Sequence, residues 1–315
     1  MSYPGELDGA VRTWLEGRGQ GLAAANAAMS ARYRAGQGSA GIDLAAYLTT
    51  RLPATFAVNA RVLAEVAHRR PGFAPRSLAD IGAGPGTAGW AAVAQWPEIA
   101  GVEQVEATPA FAGLLKEMNA ASGLPALVEA NVREQALVQW TGGRHDLVLA
   151  SYVLAEMPMT GIADAVAKLW GAAGGMLVLI EPGTPEGFKR IAIARRQLLA
   201  AGVVIVAPCT HHAACPMVGG DWCHFKERVQ RSRAHMHAKG ASVPFEDEAY
   251  SYLVVARDGE AAGGARVLAP PVVNKTGVAL RLCAETGLSD VTVPARDKAR
   301  YKQAKKVSWG DRWTP

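Results

Sequence analysis

The sequence predicts an α/β fold in which a doubly wound, mainly parallel sheet is covered by helices on both faces. Three observations predict it. Short apolar runs alternate with segments of helical periodicity, as in sheets whose two faces are buried. One of these runs, residues 78–81, leads into three glycines at alternate positions and then into a helix. The next apolar run, residues 101–106, ends in an acid.

The chain before the glycines is predicted to be helical. Ala-rich segments with apolar residues three and four positions apart indicate helices from Leu7 to Gly17, from Leu22 to Ala35 and from Ile42 to Arg69, the last interrupted at Pro53. We expect these helices to form an N-terminal cap over residues 1–72.

Beyond the glycines, strands and helices are predicted to alternate. The predicted helices cover residues 87–95, 109–121 and 161–172. The predicted strands cover residues 101–106, a short stretch near 126–129, residues 145–151 and residues 175–181. This alternation predicts the parallel sheet, because each helix has room to cross from one strand to the next.

The glycine loop contains the candidate cofactor-binding residues. Its spacing, Asp80-x-Gly82-x-Gly84-x-Gly86, differs from that of dinucleotide enzymes and resembles the first motif of S-adenosylmethionine (SAM) methyltransferases. Glycine allows a ligand to approach the main chain closely, and Asp80 is predicted at the carboxyl end of a strand, where ligands bind in such sheets. Glu106 is predicted to accept both ribose hydroxyls. A tight turn beside a surface glutamate is the alternative interpretation.

The end of the fourth strand is where methyltransferases place residues that act on the acceptor. Residues 151–158 contain no Asn-Pro-Pro-Tyr-like tetrapeptide for an exocyclic amine and no Cys beside a Pro for covalent attack on cytosine. Glu156 is the one obvious acid or base in this segment and is the candidate catalytic residue. A glutamate that starts a helix is the alternative.

The four cysteines form a second candidate site. Three of them lie in a Pro- and Gly-rich stretch and one is distant, which favours a metal site over disulfides in a reducing compartment; they are Cys209, Cys215, Cys223 and Cys283. Zinc sites more often pair cysteines two residues apart, whereas iron-sulfur clusters accept more varied spacing. Spacing alone leaves iron-sulfur, zinc and unligated thiols open.

Charge is distributed unevenly along the chain. Residues 1–180 carry 13 Lys and Arg against 15 Asp and Glu, while residues 181–315 carry 20 against 13. A basic half of this kind suggests a polyanionic partner such as RNA, although a solvated surface is the alternative. The candidate cations are Lys226, Arg228, Arg231, Arg233, Lys239, Arg296, Lys298, Arg300, Lys302, Lys305 and Lys306, with Tyr301 and Trp309 as aromatic neighbours.

The sequence also bears on compartment and membrane association. No run of eighteen or more uncharged apolar residues is present, so we expect no membrane partner. The N-terminus has neither the pattern of a secretory signal nor that of an Arg-rich transit peptide. These features predict a cytoplasmic protein.

Several segments together resemble one known family. They are the glycine loop, residues 146–158 and 181–184, the Cys-rich stretch with residues 221–225, residues 250–253 and the tail at 301–302 and 308–311. In these segments the chain is similar to the methyltransferase-like proteins of the mitochondrial small ribosomal subunit and their bacterial relatives. The resemblance extends over residues 45–313, and the four cysteines and the tail make it more specific than the glycine loop alone.

The resemblance implies a Rossmann-like class I SAM-dependent methyltransferase fold with a cysteine-cluster insertion. It implies that Cys209, Cys215, Cys223 and Cys283 hold a 4Fe-4S cluster, with zinc as the alternative. The expected partner is small-subunit rRNA, and we expect a monomer. The expected domains are the cap (1–72), a SAM-binding domain (73–200), the Cys-rich insertion (201–245) and a basic C-terminal part (246–315).

Three functions remain open at this stage. The first is SAM-dependent methylation of rRNA. The second is a non-catalytic, RNA-binding role in ribosome assembly on a methyltransferase scaffold, so enzymatic activity is left undecided. The third is methylation of a small molecule, which would leave the basic tail without a role.

Overall fold

The computed structural model describes residues 4–217 and 220–314. The helices of this part of the chain are α1 (Gly5–Leu15), α2 (Leu22–Arg34), α3 (Leu44–Thr50), α4 (Leu52–Arg69), α5 (Thr87–Gln95), α6 (Pro109–Ala120), α7 (Pro125–Val128), α8 (Ile162–Ala172), α9 (Pro185–Ala200), α10 (Arg233–Lys239) and α11 (Lys298–Ala304).

The strands are β1 (Ser77–Ile81), β2 (Gly101–Glu106), β3 (Asn131–Glu134), β4 (His145–Ser151), β5 (Ala173–Pro182), β6 (Val204–Ala207), β7 (Phe225–Gln230), β8 (Phe245–Ala256), β9 (Ala265–Val267), β10 (Val272–Val273), β11 (Gly277–Ala284), β12 (Gly287–Pro294) and β13 (Arg312–Trp313).

The main sheet has the strand order β3-β2-β1-β4-β5-β8-β6, with β7 paired to the first half of β8. Strands β1 to β5 are parallel, and β8 is antiparallel to its neighbours β5 and β6. This order, with a reversed strand between the fifth and sixth parallel strands, confirms the predicted Rossmann-like methyltransferase fold. The carboxyl ends of β1, β2, β4 and β5 therefore meet at one edge of the sheet.

One predicted strand is wrong. Residues 126–129 were expected to be extended, but α7 covers most of this stretch and the third strand is β3, further along the chain. Pro125 lies in the first turn of α7, where its fixed φ favours a helix and its missing N–H costs no hydrogen bond. The other predicted strands and helices match the structure within two residues at their ends, except at the break in the third N-terminal helix.

That break lies earlier than predicted. Helices α3 and α4 meet at Arg51, and Pro53 lies in the first turn of α4 instead of interrupting a helix. The inner face of α4 packs on α5 and on the main sheet through fully buried residues that include Phe56, Leu63 and Val66. The N-terminal helices thus share one apolar core with the main sheet, while the proposed division of the chain at residues 72, 200 and 245 stays a prediction.

The C-terminal part forms a second, five-stranded sheet. Its strands are β10, β11, β9 and β13, with β12 paired along the full length of β11. A small core of its own includes Val267, Leu280 and Trp313, and α11 packs against β11 and β12 through Ala304. This sheet carries both the fourth cysteine and the basic tail.

A buried polar network joins the three parts of the chain. The carboxylate of Glu65, on α4, accepts a hydrogen bond of 2.6 Å from the hydroxyl of Tyr252, on β8. The guanidinium of Arg266, on β9, donates from Nη1 and Nη2 to the same carboxylate and from Nη2 to Tyr252 at 2.6 Å. Arg69 adds an ion pair to Glu65 at 2.8 Å. Despite its burial, these donors lower the pKa of Glu65 to about 2.

We expect Arg266→Met to destabilise the protein by about 3–5 kcal/mol, because it leaves a buried carboxylate without its main partner. Urea unfolding measures the effect. The exposed ion pair of Arg12 with Asp8 is the control, and Arg12→Met should leave the unfolding midpoint nearly unchanged. A double-mutant cycle with Glu65→Gln should give strong coupling to Arg266. Independent, additive effects would contradict the role given to this network.

Candidate cofactor and cysteine sites

The glycine loop follows β1 and leads into α5. Gly82, Gly84 and Gly86 all have positive φ, at 68°, 55° and 87°, a conformation that residues with a β-carbon rarely adopt. A β-carbon at Gly82 would lie 2.4 Å from Val153, and one at Gly86 would lie 2.8 Å from Leu115. At Gly84 the nearest atom would be 3.9 Å away, so packing requires the first and third glycines while the middle one has open space beside it.

Glu106 lies at the end of β2 and is brought against this loop. Its Oε2 accepts from the N–H of Gly84 at 2.8 Å, and its Oε1 accepts from the N–H of Thr108 at 2.8 Å. A carboxylate has about four acceptor positions, so each oxygen can take one further donor. The side chain is buried, and its arrangement fits a group with two adjacent hydroxyls.

Asp80 is placed differently from Glu106. It is 1% exposed, and its Oδ2 accepts from the N–H of Gly89 in the first turn of α5 at 2.9 Å. Burial raises the pKa of Asp80 to about 7. The side chain thus links β1 to the first turn of α5 and so helps to fix the glycine loop between them.

Glu156 lies at the same edge of the sheet, in a 3-10 turn after β4. Its side chain is exposed, and its Oε2 accepts from the hydroxyl of Ser39 at 3.0 Å. The Ser39 hydroxyl is also 3.3 Å from the hydroxyl of Thr108. The loop between α2 and α3 therefore bridges the predicted catalytic residue and the segment beside Glu106.

Two buried polar groups that sequence reasoning did not assign lie at the ends of β4 and β5. Tyr152 has a φ of 64°, and its buried hydroxyl has no hydrogen-bond partner among the described residues. Glu181 is fully buried; its Oε1 accepts from the N–H of Leu154 at 2.8 Å, and its Oε2 has no partner in the same part of the chain. Burial raises the pKa of Glu181 to about 8, so the carboxyl holds a proton at neutral pH.

The four cysteines converge on one cavity. Three come from the segment after β6 and before β7, and the fourth comes from β11 in the second sheet; Cys209, Cys215, Cys223 and Cys283 all line the cavity. Burial raises the pKa of Cys283 to about 12 and that of Cys223 well above its usual range. In residues 4–217 and 220–314, no three acidic, cysteine or histidine side chains are gathered closely enough to hold a single metal ion.

Arg195 and His211 line the cysteine cavity and contact two of its sulfurs. Arg195, 5% exposed on α9, lies at the cavity with its Nε 3.4 Å from Cys209 Sγ. His211 has its Nε2 3.5 Å from Cys283 Sγ. Arg195 could have been found from sequence, because it stands among Ile191, Ala194 and Leu198 in the apolar periodicity of α9.

The candidate cations fall into two groups. Three of the five that follow Cys223 form ion pairs within the protein: Arg228 with Asp247 at 2.8 Å, and Arg231 and Lys239 with Glu246 at 2.9 and 2.6 Å. The tail cations, Arg296, Lys298, Arg300, Lys302, Lys305 and Lys306, are all exposed. Within the described residues, Arg300 has a contact of 4.0 Å with Asp297 and the other five have no ion pair.

Comparison with known proteins identifies similar sequences. The model of a family described as the mitochondrial small ribosomal subunit Rsm22 matches residues 42–314. The chain is 28% identical over 284 residues to the human ribosome assembly protein METTL17, mitochondrial, covering 84% of the chain and 61% of that protein. It is 27% identical to the Rsm22-cox11 tandem protein 2, mitochondrial, of Schizosaccharomyces pombe, covering 74% of the chain and 38% of that protein. The chain thus spans less than two thirds of the length of either relative.

Solved structures with a similar fold are more distant. The SAM-bound magnesium protoporphyrin IX methyltransferase of Synechocystis is 17% identical, with a TM-score of 0.45, and the match covers 74% of this chain and 93% of that one. The precorrin-6y C5,15-methyltransferase of Geobacter metallireducens is 14% identical, with a TM-score of 0.42 over 63% of this chain and 87% of that one. Because these identities and TM-scores are low, the fold is assigned from the strand order of the main sheet.

The predicted cytoplasmic location is wrong by these comparisons. The matching family is described by the mitochondrial ribosomal subunit, and both relatives are named as mitochondrial. The prediction relied on the pattern of the first residues, and that pattern does not decide the compartment of a chain that spans only part of its relatives' length. In the described residues, no helix is long and apolar enough to cross a membrane.

We expect Glu181→Gln to change how stability depends on pH. In the wild type the folded protein keeps a proton on Glu181 that the unfolded chain releases above about pH 4.5. Stability should therefore fall by a few kcal/mol, at about 1.4 kcal/mol per pKa unit, as pH rises from about 4.5 to about 8. Urea unfolding across this range should show a flatter profile for Glu181→Gln.

The control for this experiment is Glu186→Gln, at an exposed position in the first turn of α9. It should keep the wild-type fall in stability across this pH range. If Glu181→Gln and Glu186→Gln behave alike, the buried carboxyl of Glu181 is not the group that titrates.

Proposed function

Because the chain belongs to the Rsm22 family of the mitochondrial small ribosomal subunit, we propose that it is a ribosome assembly protein that binds small-subunit rRNA. The name of its human relative, a ribosome assembly protein, supports an assembly role. In this proposal the methyltransferase scaffold and the cysteine cavity hold an RNA-binding surface in place, and methyl transfer is a separate, second candidate function of the same scaffold.

The observation that carries this proposal is the exposed group of cations on the second sheet. Five of the six tail cations lack an ion pair in the described part of the chain, whereas three of the five cations after Cys223 are neutralised by internal partners. Exposed cations release counterions from phosphates when they contact them, which favours binding to RNA. The ring of Tyr301 lies 4.8 Å from Lys305 Nζ and would be available beside these contacts.

For the cysteine cavity, we propose a 4Fe-4S cluster held by Cys209, Cys215, Cys223 and Cys283. A single zinc ion needs all four sulfurs about 2.3 Å from one point, and the thiols are not gathered in that way. A 4Fe-4S cluster binds each cysteine through a different iron, so its four sulfur ligands can lie further apart than those of a single ion. Since β11 supplies one ligand and the loop after β6 supplies three, a cluster would fasten the second sheet to the main sheet.

For the glycine loop, we propose that SAM is the ligand. Glu106 would accept the two ribose hydroxyls with its remaining acceptor positions, and the open side of Gly84 would admit the ligand to the main chain. Asp80, Gly82 and Gly86 would keep the loop in shape through their packing and hydrogen bonds. When bound, SAM supplies an electrophilic methyl group.

Methylation of rRNA is the second candidate function, and the complete cofactor loop favours it. Glu156 is the proposed base, since its carboxylate lies at the carboxyl edge of the sheet and is linked through the Ser39 hydroxyl to Thr108, beside Glu106. The hydrogen bond from Ser39 ties the loop between α2 and α3 to this proposed base.

We expect replacement of Lys302, Lys305 and Lys306 by glutamine to weaken binding to small-subunit rRNA fragments. The slope of log K against log salt should fall by about 2–3, because each lost phosphate contact removes about 0.7–0.9 from it. Filter binding at several salt concentrations measures this slope. A triple variant with the same charge change elsewhere, at Arg12, Lys116 and Lys189, is the control and should keep the slope. Equal losses in both variants would indicate a net-charge effect and would contradict a binding surface on the tail.

We expect SAM to bind the wild type and Glu106→Gln to weaken that binding about 10- to 100-fold, as for a lost hydrogen bond to a charged group of about 1.5–3 kcal/mol. Calorimetric titration measures the affinity, with the exposed Glu129→Gln as control. No binding to the wild type would rule out methyl transfer but leave the assembly role standing, because the RNA measurements do not depend on SAM.

A further inference from the structure

Arg195 is a buried cation that points at the cysteine cavity. On the apolar face of α9, it is 5% exposed and lines the cavity together with the four cysteines. Its Nε lies 3.4 Å from Cys209 Sγ, and its Nη2 donates to the carbonyl oxygens of His211 at 3.3 Å and of Ala213 at 2.7 Å. One guanidinium thus contacts the sulfur of Cys209 and also hydrogen-bonds the backbone that follows it, at His211 and Ala213.

Among the described residues, no carboxylate compensates the charge of Arg195. Arg266, which is also buried, pairs with Glu65, and the half-buried Arg51 pairs with Glu248 at 3.1 Å. No acidic side chain in residues 4–217 and 220–314 lies within 4.0 Å of a charged nitrogen of Arg195. Burying a charge without a carboxylate partner is unfavourable, and the two carbonyl oxygens offset only part of that cost. A negatively charged occupant of the cavity that the guanidinium faces would therefore stabilise the folded protein. Four thiolates bound to a metal centre carry such a charge.

We propose that Arg195 is a positioning residue for the cysteine-bound cluster: it fixes the loop at residues 209–213 by its two carbonyl contacts and donates its Nε–H to the sulfur of Cys209. This inference rests on the proposed cluster. Hydrogen bonds to the sulfurs and the net charge around a cluster set its reduction potential. A donated N–H and a buried positive charge both favour the more negative, reduced state. Arg195 should therefore raise the reduction potential as well as retain the iron.

The geometry favours arginine over lysine at this position. The three contacts come from two different nitrogens of a planar group and reach one sulfur and two carbonyl oxygens. A lysine ammonium supplies the charge from a single nitrogen and cannot span the same acceptors. Arg195→Lys should keep the positive charge but lose the hydrogen bonds that fix the loop at residues 209–213. Arg195→Met should lose both the charge and these hydrogen bonds. The adjacent Arg196 is exposed and serves as the matched control.

The experiment uses the full chain, loaded anaerobically with iron and sulfide. The rate of iron loss to a chelator and the reduction potential are measured for the wild type, Arg195→Met, Arg195→Lys and Arg196→Met. We expect Arg195→Met to lose iron about 10- to 100-fold faster, the range for groups that orient metal ligands, and to have a lower potential. Arg195→Lys should lose iron at an intermediate rate and shift the potential less. Arg196→Met should match the wild type in both.

Each outcome separates this inference from the cluster on which it rests. If the wild type takes up iron and sulfide but Cys283→Ser does not, the cluster stands. If both Arg195 variants then match Arg196→Met in iron loss and in potential, the role of Arg195 is overturned alone. If Arg195→Met fails to fold, Arg195→Lys carries the comparison. A wild type that takes up no iron overturns the cluster and the role of Arg195 together.

Discussion

The position of the second sheet depends on one buried carboxylate. Glu65 accepts from Tyr252 on the main sheet and from Arg266 on the second sheet, and it stands on a helix of the N-terminal part. A buried ion pair is favourable only when its hydrogen bonds are made in good geometry. Three parts of the chain must therefore meet in one arrangement, and the tail with its free cations is held in a fixed place relative to the cofactor edge.

The cysteine cavity lies next to the Glu65 network, because both include Tyr252. Tyr252 lines the cavity while its hydroxyl serves the Glu65 network. Beside it, the hydroxyl of Ser251 donates to the carbonyl of Cys223 at 2.8 Å, which fixes the third cysteine to β8. Because Cys283 comes from the second sheet, a metal centre in the cavity and the Glu65 network would restrain the same two sheets. The proposed metal centre would thus help to keep the proposed RNA-binding surface rigid.

The carboxyl edge of the main sheet differs from the Glu65 network, in which the polar groups are hydrogen-bonded to one another. It collects polar groups that are not fully paired in the described residues, including the hydroxyl of Tyr152 and one oxygen of Glu181. The glycines, Glu106 and Glu156 could be predicted at this edge from the order of strands, because the ends of parallel strands meet there. The contacts of Tyr152 and Glu181 could not, since burial and the loss of partners depend on how α4 and the loop after β4 cover the edge.

The amino-acid sequence was enough to predict strands β1, β2, β4 and β5 of the main sheet, the glycine loop and the set of four cysteines. Alternating apolar periodicity and a fixed glycine spacing are local patterns, and they place each residue on a strand, a turn or a helix. Which cations lack an ion pair among the described residues could be read only from the folded chain, because Arg228 and Arg231 have acidic partners on β8 that are distant in sequence. The same holds for Arg195, which faces Cys209 and has no carboxylate partner in that part of the chain. Charge compensation depends on distances in space, and a sequence pattern carries no information on those distances.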